Sequence, residues 1–316
     1  MRCMYGQWNK MSGCMLKDKK FDIIGMGRAG RWRQFQSMSG GEEMFERKLM
    51  LWSLKNVYQK RNYETLVKEF EGLDIDLSQQ YTQNTEMTPY RWYNLNNQHC
   101  FQTIFTVKMM HKYLNSNILN VVDIGDSAGT HLKKISMLMD KGGGRKINGI
   151  SVNLDPIAVD KINKNGGRAI LCRAEDYEPD VRIDCYLSYE MMEHLHNPAL
   201  FLHRLAKADK GDYMIVTVPY LSESRVGLRN SLAGKENITA ENEHIFELNP
   251  LDWEKIALHA GWRVIEKEIY LQYPENIPFL SRWLRKIWKQ EDFEGFLGLM
   301  LKRDTTVTDR YLSWEE

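Results

Sequence analysis

The sequence predicts an α/β fold in which parallel strands alternate with helices. From residue 118 onward, short apolar segments rich in β-branched residues alternate with segments of helical periodicity, which is typical of parallel βαβ units. An Asn-Pro pair at 197–198 begins one intervening helix, and Gly211 ends it. The pair at 249–250 and Gly261 do the same for a second helix. The segments predicted as strands are 119–123, 147–154, 168–173, 183–189, 213–218, 263–270 and 296–302.

Composition and charge narrow the class of protein. Of 316 residues, 43% are hydrophobic and 27% are charged, as in ordinary soluble globular proteins. No apolar run reaches the roughly 18 residues that a membrane-spanning helix needs, and no apolar leader opens the chain. Five scattered cysteines fit a reducing compartment. We therefore expect a soluble, cytoplasmic protein, and the net charge of +1 argues against a nucleic-acid partner.

Residues 1–43 form a basic segment ahead of the predicted helices. Residues 1–35 contain eight Lys and Arg against two Asp, and the segment is interpreted either as a basic tail or as sequence upstream of the natural start. Gly25, Gly27 and Gly30 match the Gly-x-Gly-x-x-Gly pattern of dinucleotide-binding turns. However, no second strand ends in an acidic residue about 20 positions later. A glycine-rich loop is therefore predicted instead.

A helical extension is predicted over residues 44–97, ahead of a main domain at 98–316. Its first part, 44–71, has the apolar periodicity of one or two helices. Its second part, 72–97, is polar and is interpreted as a connecting segment. Aromatic residues interrupt this segment and suggest either a lid over a site or simple packing: Tyr90, Trp92 and Tyr93. The main domain then begins with a helix at 98–114.

Residues 121–129 (VVDIGDSAG) are the most informative stretch of the chain. A strand ends at Asp123, a turn containing Gly125 and Gly129 follows, and a helix is predicted directly afterwards. Backbone N–H groups at such a helix start meet a ligand, and glycines permit close approach because they lack a Cβ. The Gly-x-x-x-Gly spacing and the acidic strand end suit a cationic amine better than a pyrophosphate. The pattern points to S-adenosylmethionine, with contacts from Asp123, Gly125, Asp126, Ser127 and Gly129.

The ends of the next two strands supply candidate nucleoside contacts. Asp155 ends the second strand, where an acidic side chain accepts hydrogen bonds from ribose hydroxyls. Its alternative role is the N-cap of a helix that begins at Pro156. Ala174 and Glu175 follow the third strand, where an adenine ring would lie, although a solvated acidic loop is an open alternative.

The fourth strand leads into a second cluster of polar residues. Its last residues, Ser188 and Tyr189, should border the cofactor with their backbone. Directly after the strand, carboxylates and an imidazole fall within five residues, and a further histidine follows the fifth strand; the set is Glu190, Glu193, His194 and His244. These side chains either hold a divalent cation such as Mg²⁺ or supply a histidine general base. The structural alternative is that Glu193 stabilises turns and His194 fills a polar pocket.

These motifs resemble those of class I S-adenosylmethionine-dependent methyltransferases, in particular the ubiquinone-biosynthesis O-methyltransferases. The resemblance covers residues 98–270 and the final strand, and it is carried by VVDIGDSAG, VNLDP, RAEDYEP and IDCYLSYEMMEHLHNPALFLHRLAK. It implies a doubly wound, mostly parallel, Rossmann-like sheet of seven strands whose last strand is antiparallel. It also implies that Asp123 and the turn glycines hold the methionine moiety and that Asp155 holds the ribose. The chain departs from the family pattern at Ser127, in place of a glycine, and at Arg173, in place of an acid.

The resemblance does not decide whether the protein binds a metal ion. Some relatives bind magnesium through a Glu-x-x-Glu-His run and a later His, which Glu190, Glu193, His194 and His244 resemble residue by residue. Metal-free relatives also carry Glu-His at this place, so the sequence does not choose between them.

The function implied is methyl transfer from S-adenosylmethionine, with an oxygen acceptor favoured because the Asn/Asp-Pro-Pro-Tyr/Phe run of many amine methyltransferases is absent. The expected acceptor is a small molecule, a glycan or a lipid-linked compound. Two alternatives stay open: a metal-dependent 2′-O-methyltransferase of RNA ends, and an inactive cofactor-binding partner subunit.

A helical insertion is predicted over residues 274–294, between the last two strands. Apolar residues fall on one face of the segment 280–289 and basic residues on the other. Such a helix either lies on an anionic membrane surface as a peripheral contact or docks its apolar face on the protein core.

Overall fold

The computed structural model describes residues 40–73, 79–80, 87–226, 244–277 and 279–311. Within these residues, seven strands form one sheet in the order β3-β2-β1-β4-β5-β9-β8, and a separate two-stranded ladder pairs β6 with β7. Neighbouring strands from β3 through β5 are parallel, whereas β9 is antiparallel to both β5 and β8. The prediction of a mostly parallel, seven-stranded sheet with an antiparallel last strand is therefore confirmed.

Each predicted strand of the sheet is present, with its ends shifted by a few residues. The strands are β1 Ile118–Ile124, β2 Lys146–Asn153, β3 Ala169–Leu171, β4 Cys185–Tyr189, β5 Tyr213–Tyr220, β6 Arg225–Val226, β7 Phe246–Glu247, β8 Trp262–Leu271 and β9 Gly295–Arg303. The helices are α1 Gly40–Lys60, α2 Tyr63–Phe70, α3 Pro89–Tyr113, α4 Thr130–Lys141, α5 Pro156–Lys164, α6 Pro198–Ala208, α7 Pro250–His259 and α8 Leu280–Glu291.

Helices cover both faces of the sheet, so its central strands are buried on both sides. Val121 packs with α3 and α4 on one face, while its neighbour Val122 packs with α6 and α7 on the other. This alternation follows from the two-residue period of a strand. It also explains why the strands read as nearly continuous apolar runs.

The start of α3 differs from the prediction. The helix begins at Pro89, nine residues before the predicted start, because Thr88 caps it by accepting a hydrogen bond from the Arg91 N–H and Pro89 occupies its first turn. The predicted boundary at 97/98 thus falls inside one helix. Trp92 and Tyr93 lie in its first turns and pack edge to face with each other, so the packing interpretation of these aromatics is confirmed.

The basic segment and the Gly25–Gly30 motif lie outside the described residues, apart from the first turn of α1, which begins at Gly40. The helical extension is otherwise present as α1, α2 and the first turns of α3. Helix α3 continues from this extension into the main domain without a break, and α1 packs on it; the buried Asn97 side chain, for example, donates to the Leu54 carbonyl.

The insertion helix α8 docks its apolar face on α1. Leu284, Ile287 and Trp288 are buried in a cluster with Met50 and Leu54 of α1. The docking alternative is therefore confirmed for this face, while contact of the exposed basic side with a membrane surface stays a prediction. No helix in the described part of the chain is long and apolar enough to cross a membrane.

Replacement of Trp288 by alanine tests the docking of α8. The Trp288 side chain is fully buried, and its indole N–H donates to the Ser53 hydroxyl. Trp288→Ala should lower the free energy of unfolding by about 3–5 kcal/mol, because it leaves a large cavity. Trp283→Ala is the matched control on the same helix, since Trp283 is 43% exposed, and it should cost less than about 1 kcal/mol. Chemical denaturation measures both, and equal losses would contradict the docking.

Candidate functional site

The turn after β1 adopts a conformation that favours glycine. Gly125 and Gly129 have φ angles of +96° and +73°, which L side chains rarely adopt. A Cβ on Gly125 would also lie 2.8 Å from the Met191 Cγ. The backbone therefore favours glycine at both positions identified from the sequence, and the turn leads directly into the start of α4.

Asp126 holds this turn together from the inside. Its side chain is fully buried; Oδ1 accepts from the Gly129 N–H at 3.0 Å, and Oδ2 accepts from the Ser151 hydroxyl at 2.9 Å. Both carboxylate oxygens are thus used within the protein. We interpret Asp126 as the residue that shapes the loop, whereas the sequence had suggested a direct cofactor contact.

Asn153, at the end of β2, joins the turn to the next strand end. Its side-chain amide donates to the Asp126 carbonyl at 2.7 Å, and its Oδ1 accepts from the Asp155 N–H at 2.7 Å. Sequence reasoning missed this residue. The signal for it was a carboxamide placed just before the acid that ends the strand.

Asp123 lies at the end of β1 with one carboxylate oxygen engaged. Its Oδ2 is 3.2 Å from Nδ1 of His131 in the first turn of α4. Its Oδ1 is buried and has no hydrogen-bond partner among the residues that the structure describes. An unpartnered buried carboxylate oxygen is costly, so this atom marks a place where a donor from a ligand would be stabilised. His131 is the second site residue that sequence reasoning missed.

Charge and burial shift the pKa values around Asp123. Burial, followed by the charge of Asp123, raises the pKa of Asp126 to about 6. Burial alone would lower the pKa of His131, but its hydrogen bond to Asp123 and the charges of both carboxylates outweigh burial and raise it. The turn therefore concentrates negative charge that His131 partly compensates, an environment suited to a cationic ligand.

The two predicted nucleoside contacts lie at neighbouring strand ends. Asp155 caps α5, since its Oδ1 accepts from the Ile157 N–H at 2.9 Å, so the N-cap alternative is confirmed. Ala174 and Glu175 lie in a short 3-10 helix after β3, where the Glu175 carboxylate pairs with Arg173 at 3.3 Å. The residue that departs from the family pattern thus pairs with one of the predicted adenine contacts.

Ser188 and Tyr189 end β4 beside the same turn. The Ser188 hydroxyl is buried and has no hydrogen-bond partner within the described ranges. Tyr189 hydrogen-bonds to the Thr106 hydroxyl. The rings of Tyr189 and His131 pack edge to face. Burial raises the pKa of Tyr189 well above its usual range, so its phenol stays protonated.

Gln80, which lies between α2 and α3 in the chain, contacts the glycine turn. Gln80 is buried, and its side-chain amide donates to the Ser127 carbonyl at 2.6 Å. A residue of the predicted connecting segment therefore contacts the loop that the sequence assigns to the cofactor. The lid stays a prediction, and no pattern in the sequence pointed to Gln80 itself.

A second cluster lies just beyond β4 and comprises Glu193, His194 and His244. The Glu193 carboxylate is fully buried, and its Oε1 lies 3.8 Å from Nε2 of His194 and 3.9 Å from Nε2 of His244. The three ligand atoms all lie within 4.8 Å of one another. The structure thus brings together three of the four residues proposed from the sequence, and Glu190 falls outside this group.

A carboxylate behind His244 orients its ring. Nδ1 of His244 lies 2.9 Å from Oε1 of Glu247, and Arg225 pairs with the other oxygen of Glu247 at 2.7 Å. We assign the proton to Nδ1, because a carboxylate can only accept. This tautomer leaves the Nε2 lone pair directed at Glu193 and His194. Such a lone pair either takes a proton or binds a cation.

Comparison with known proteins yields similarities of fold alone. No protein-family model matches the chain, and no curated protein matches it. Similar solved structures include the cyclase SpnF (11% identity, 64% of this chain and 81% of that chain, TM-score 0.46). They also include the magnesium protoporphyrin IX methyltransferase of Synechocystis PCC 6803 with bound SAM (10% identity, 70% and 87% coverage, TM-score 0.45). A third is the 1,6-didemethyltoxoflavin-N1-methyltransferase of Burkholderia thailandensis with S-adenosylhomocysteine (12% identity, 70% and 93% coverage, TM-score 0.43). At these identities and TM-scores, the similarity does not indicate a reaction. Any inference about the reaction must rest on the site residues.

Asp126→Asn tests the electrostatics of the turn. Because the pKa of Asp126 is about 6 in the folded protein and 3.8 for a free aspartate carboxyl, stability should fall as pH rises between about 4 and 6. The variant should lack this fall, which is on the order of 2 kcal/mol. Urea unfolding of both proteins across this window measures the difference. A difference in stability that does not change with pH would contradict the raised pKa.

Proposed function

We propose that the chain is an S-adenosylmethionine-dependent methyltransferase that methylates an oxygen of a small-molecule, glycan or lipid-linked acceptor. The observation that carries the proposal is Oδ1 of Asp123, which is buried without a hydrogen-bond partner in the described part of the chain and lies beside a turn with two positive-φ glycines. A carboxylate oxygen of this kind suits an ammonium group. The cofactor has such a group on its methionine moiety.

The residues around the turn fit the rest of the cofactor. The first N–H groups of α4, which have no acceptor within the helix, would face its carboxylate. Asp155 would accept from the ribose hydroxyls while it caps α5. Ala174 and Glu175 would border the adenine. When bound, the cofactor supplies an activated methyl group on a sulfonium centre.

His244 is the strongest candidate for the base that takes the acceptor's hydroxyl proton. Its Nδ1 is held by Glu247, and its Nε2 lies 3.9 Å from Oε1 of Glu193. A carboxylate behind an imidazole raises its basicity and stabilises the imidazolium that forms. His194, whose ring lies 4.8 Å from that of His244, is the alternative base, and the buried Glu193 would stabilise either cation.

A metal-assisted form of the reaction is favoured by one observation. Glu193, His194 and His244 place one carboxylate and two imidazole nitrogens within 4.8 Å, a donor set suited to divalent metals. Glu247 would be the outer carboxylate that orients a ligating histidine. A bound Mg²⁺ or related cation would polarise the acceptor hydroxyl at this place.

The two alternative functions, an RNA-end methyltransferase and an inactive partner subunit, require different features of the protein. A 2′-O-methyltransferase of RNA ends would use the same three side chains, but the near-neutral net charge gives it no general attraction for nucleic acid. An inactive partner subunit would not need the ordered Arg225–Glu247–His244 chain that the site contains.

S-adenosylhomocysteine should stabilise the fold. At about 100 times its dissociation constant it should add roughly 2.7 kcal/mol, seen as a rise in Tm. Asp123→Asn and Asp155→Ala should reduce this ligand-induced rise, because they remove the ammonium and ribose contacts. Asp160→Asn, an exposed aspartate on α5, is the control and should respond as the parent does. A parent without any shift, or unchanged shifts in both variants, would contradict the cofactor assignment.

His244→Ala should lower methyl transfer from labelled cofactor to cell-extract fractions by about 10²–10⁴-fold if His244 is the base. Binding of S-adenosylhomocysteine should be unchanged. His259→Ala, an exposed histidine on α7, should leave transfer unaffected.

The same assay with EDTA separates the two forms of the reaction. Transfer that EDTA abolishes and Mg²⁺ or Mn²⁺ restores indicates the metal, whereas insensitivity to EDTA indicates the free base. Full activity of both His244→Ala and His194→Ala would contradict both forms, and absence of transfer under every condition would favour the inactive subunit.

A further inference from the structure

Helix α3 buries a row of carboxamide side chains on one of its faces. Asn94, Gln98 and Gln102 recur at four-residue spacing, so they stand above one another along the helix. They are only 4%, 6% and 1% exposed. The side-chain carbonyl oxygen of each has no hydrogen-bond partner in the part of the chain that the structure describes.

Burying such a row costs free energy if its side chains serve only the fold. A buried acceptor without a partner costs about 1–3 kcal/mol, and the large majority of buried polar atoms are hydrogen-bonded. Leucine or methionine would fill the same space on a helix without this cost. Three repeats of the same cost on one face therefore indicate a ligand that satisfies these oxygens.

Contacts along α3 show where the row points. The Gln102 amide donates to the Thr217 hydroxyl of β5 at 2.9 Å, and Thr217 pairs with Tyr189, the last residue of β4. At the other end of the helix, Tyr113 packs on Tyr213, the first residue of β5. The helix thus runs antiparallel to the strands.

The row therefore continues past the strand ends. Gln98 and Asn94 lie successively about 6 Å further along the helix from Gln102, toward the carboxyl-terminal edge of the sheet. Glu193 and His194 follow β4 at this same edge, and His244 lies beside them.

A further buried carboxamide, Gln272, lies directly after β8. Gln272 is fully buried, donates to the Phe293 carbonyl at 3.0 Å, and has an Oε1 without a partner in the described segments. The Phe293 ring lies 6.2 Å from the ring of His244. Gln272 is thus linked to the histidine cluster through Phe293, and the α3 row runs toward the same edge of the sheet.

We propose that the acceptor is a neutral polyhydroxylated compound, a sugar ring, held by Gln98, Asn94 and Gln272. Carboxamides carry no charge and both donate and accept, as sugar hydroxyls do. A phosphate or carboxylate acceptor would instead call for Arg or Lys. This inference rests on the proposed methyltransferase function.

The transfer step balances with the residues present. A sugar hydroxyl oxygen forms the new bond to the methyl carbon, the carbon–sulfur bond breaks, and its electron pair stays on sulfur. The hydroxyl proton passes to Nε2 of His244, which later releases it to water. The products are a methyl ether and S-adenosylhomocysteine.

Saturation-transfer NMR with methyl glycosides of glucose, galactose, mannose and rhamnose tests the proposal, with S-adenosylhomocysteine bound and catechol as a flat aromatic comparison. At least one glycoside should receive saturation from the parent protein. Gln98→Leu and Asn94→Leu should each lose that signal and raise the Tm, because each removes a buried unpartnered oxygen. Gln59→Leu, an exposed carboxamide on α1, should change neither.

Three results would overturn the inference: no saturation of any glycoside while S-adenosylhomocysteine binds, undiminished saturation in both leucine variants, or a fall in Tm for both variants. The last would show that the carboxamides serve the fold. Binding of catechol in place of the glycosides would refute the sugar and leave methyl transfer standing. Failure of S-adenosylhomocysteine itself to bind would instead refute the proposed function.

Discussion

The buried carboxylate of Asp126 is the constraint on which the rest of the site depends. By accepting from the Gly129 N–H and the Ser151 hydroxyl, it fixes the turn that joins β1 to α4 and ties it to β2. Asp126 uses both its oxygens inside the protein, whereas Oδ1 of Asp123 is buried without a hydrogen-bond partner among the described residues. The two acids therefore have different roles. Asp126 shapes the loop, and Asp123 is available to bind a ligand.

The same edge of the sheet gathers the other polar groups, and it does so for a topological reason. Parallel strands end on one side, so residues after β1, β2 and β4 converge although they are far apart in the chain. Helix α3, which runs against the strands, adds polar side chains from Gln102 toward its amino terminus. The α8–α1 contact, with Trp288 at its centre, fixes the extension to which α3 belongs.

The sequence predicted what depends on local pattern. Strands appear as β-branched runs, and helix starts such as Asn197-Pro198 and Asn249-Pro250 are observed as capped first turns. Thr88-Pro89 is a helix start of the same kind, but the residues that follow it are polar. The predicted start of α3 is therefore nine residues too late. Polar residues on that helix were mistaken for a connecting segment because a buried polar face has no apolar periodicity. His131, Asn153 and Gln80 were missed because their roles arise from contacts between segments, which spacing along the chain does not encode.

A crystal structure of the protein with S-adenosylhomocysteine tests the central claim most directly. The account predicts that the ligand's ammonium lies within hydrogen-bond distance of Oδ1 of Asp123 and that its ribose lies beside Asp155. Crystals grown at saturating ligand in which this place is empty, or in which the ligand lies elsewhere, would contradict it.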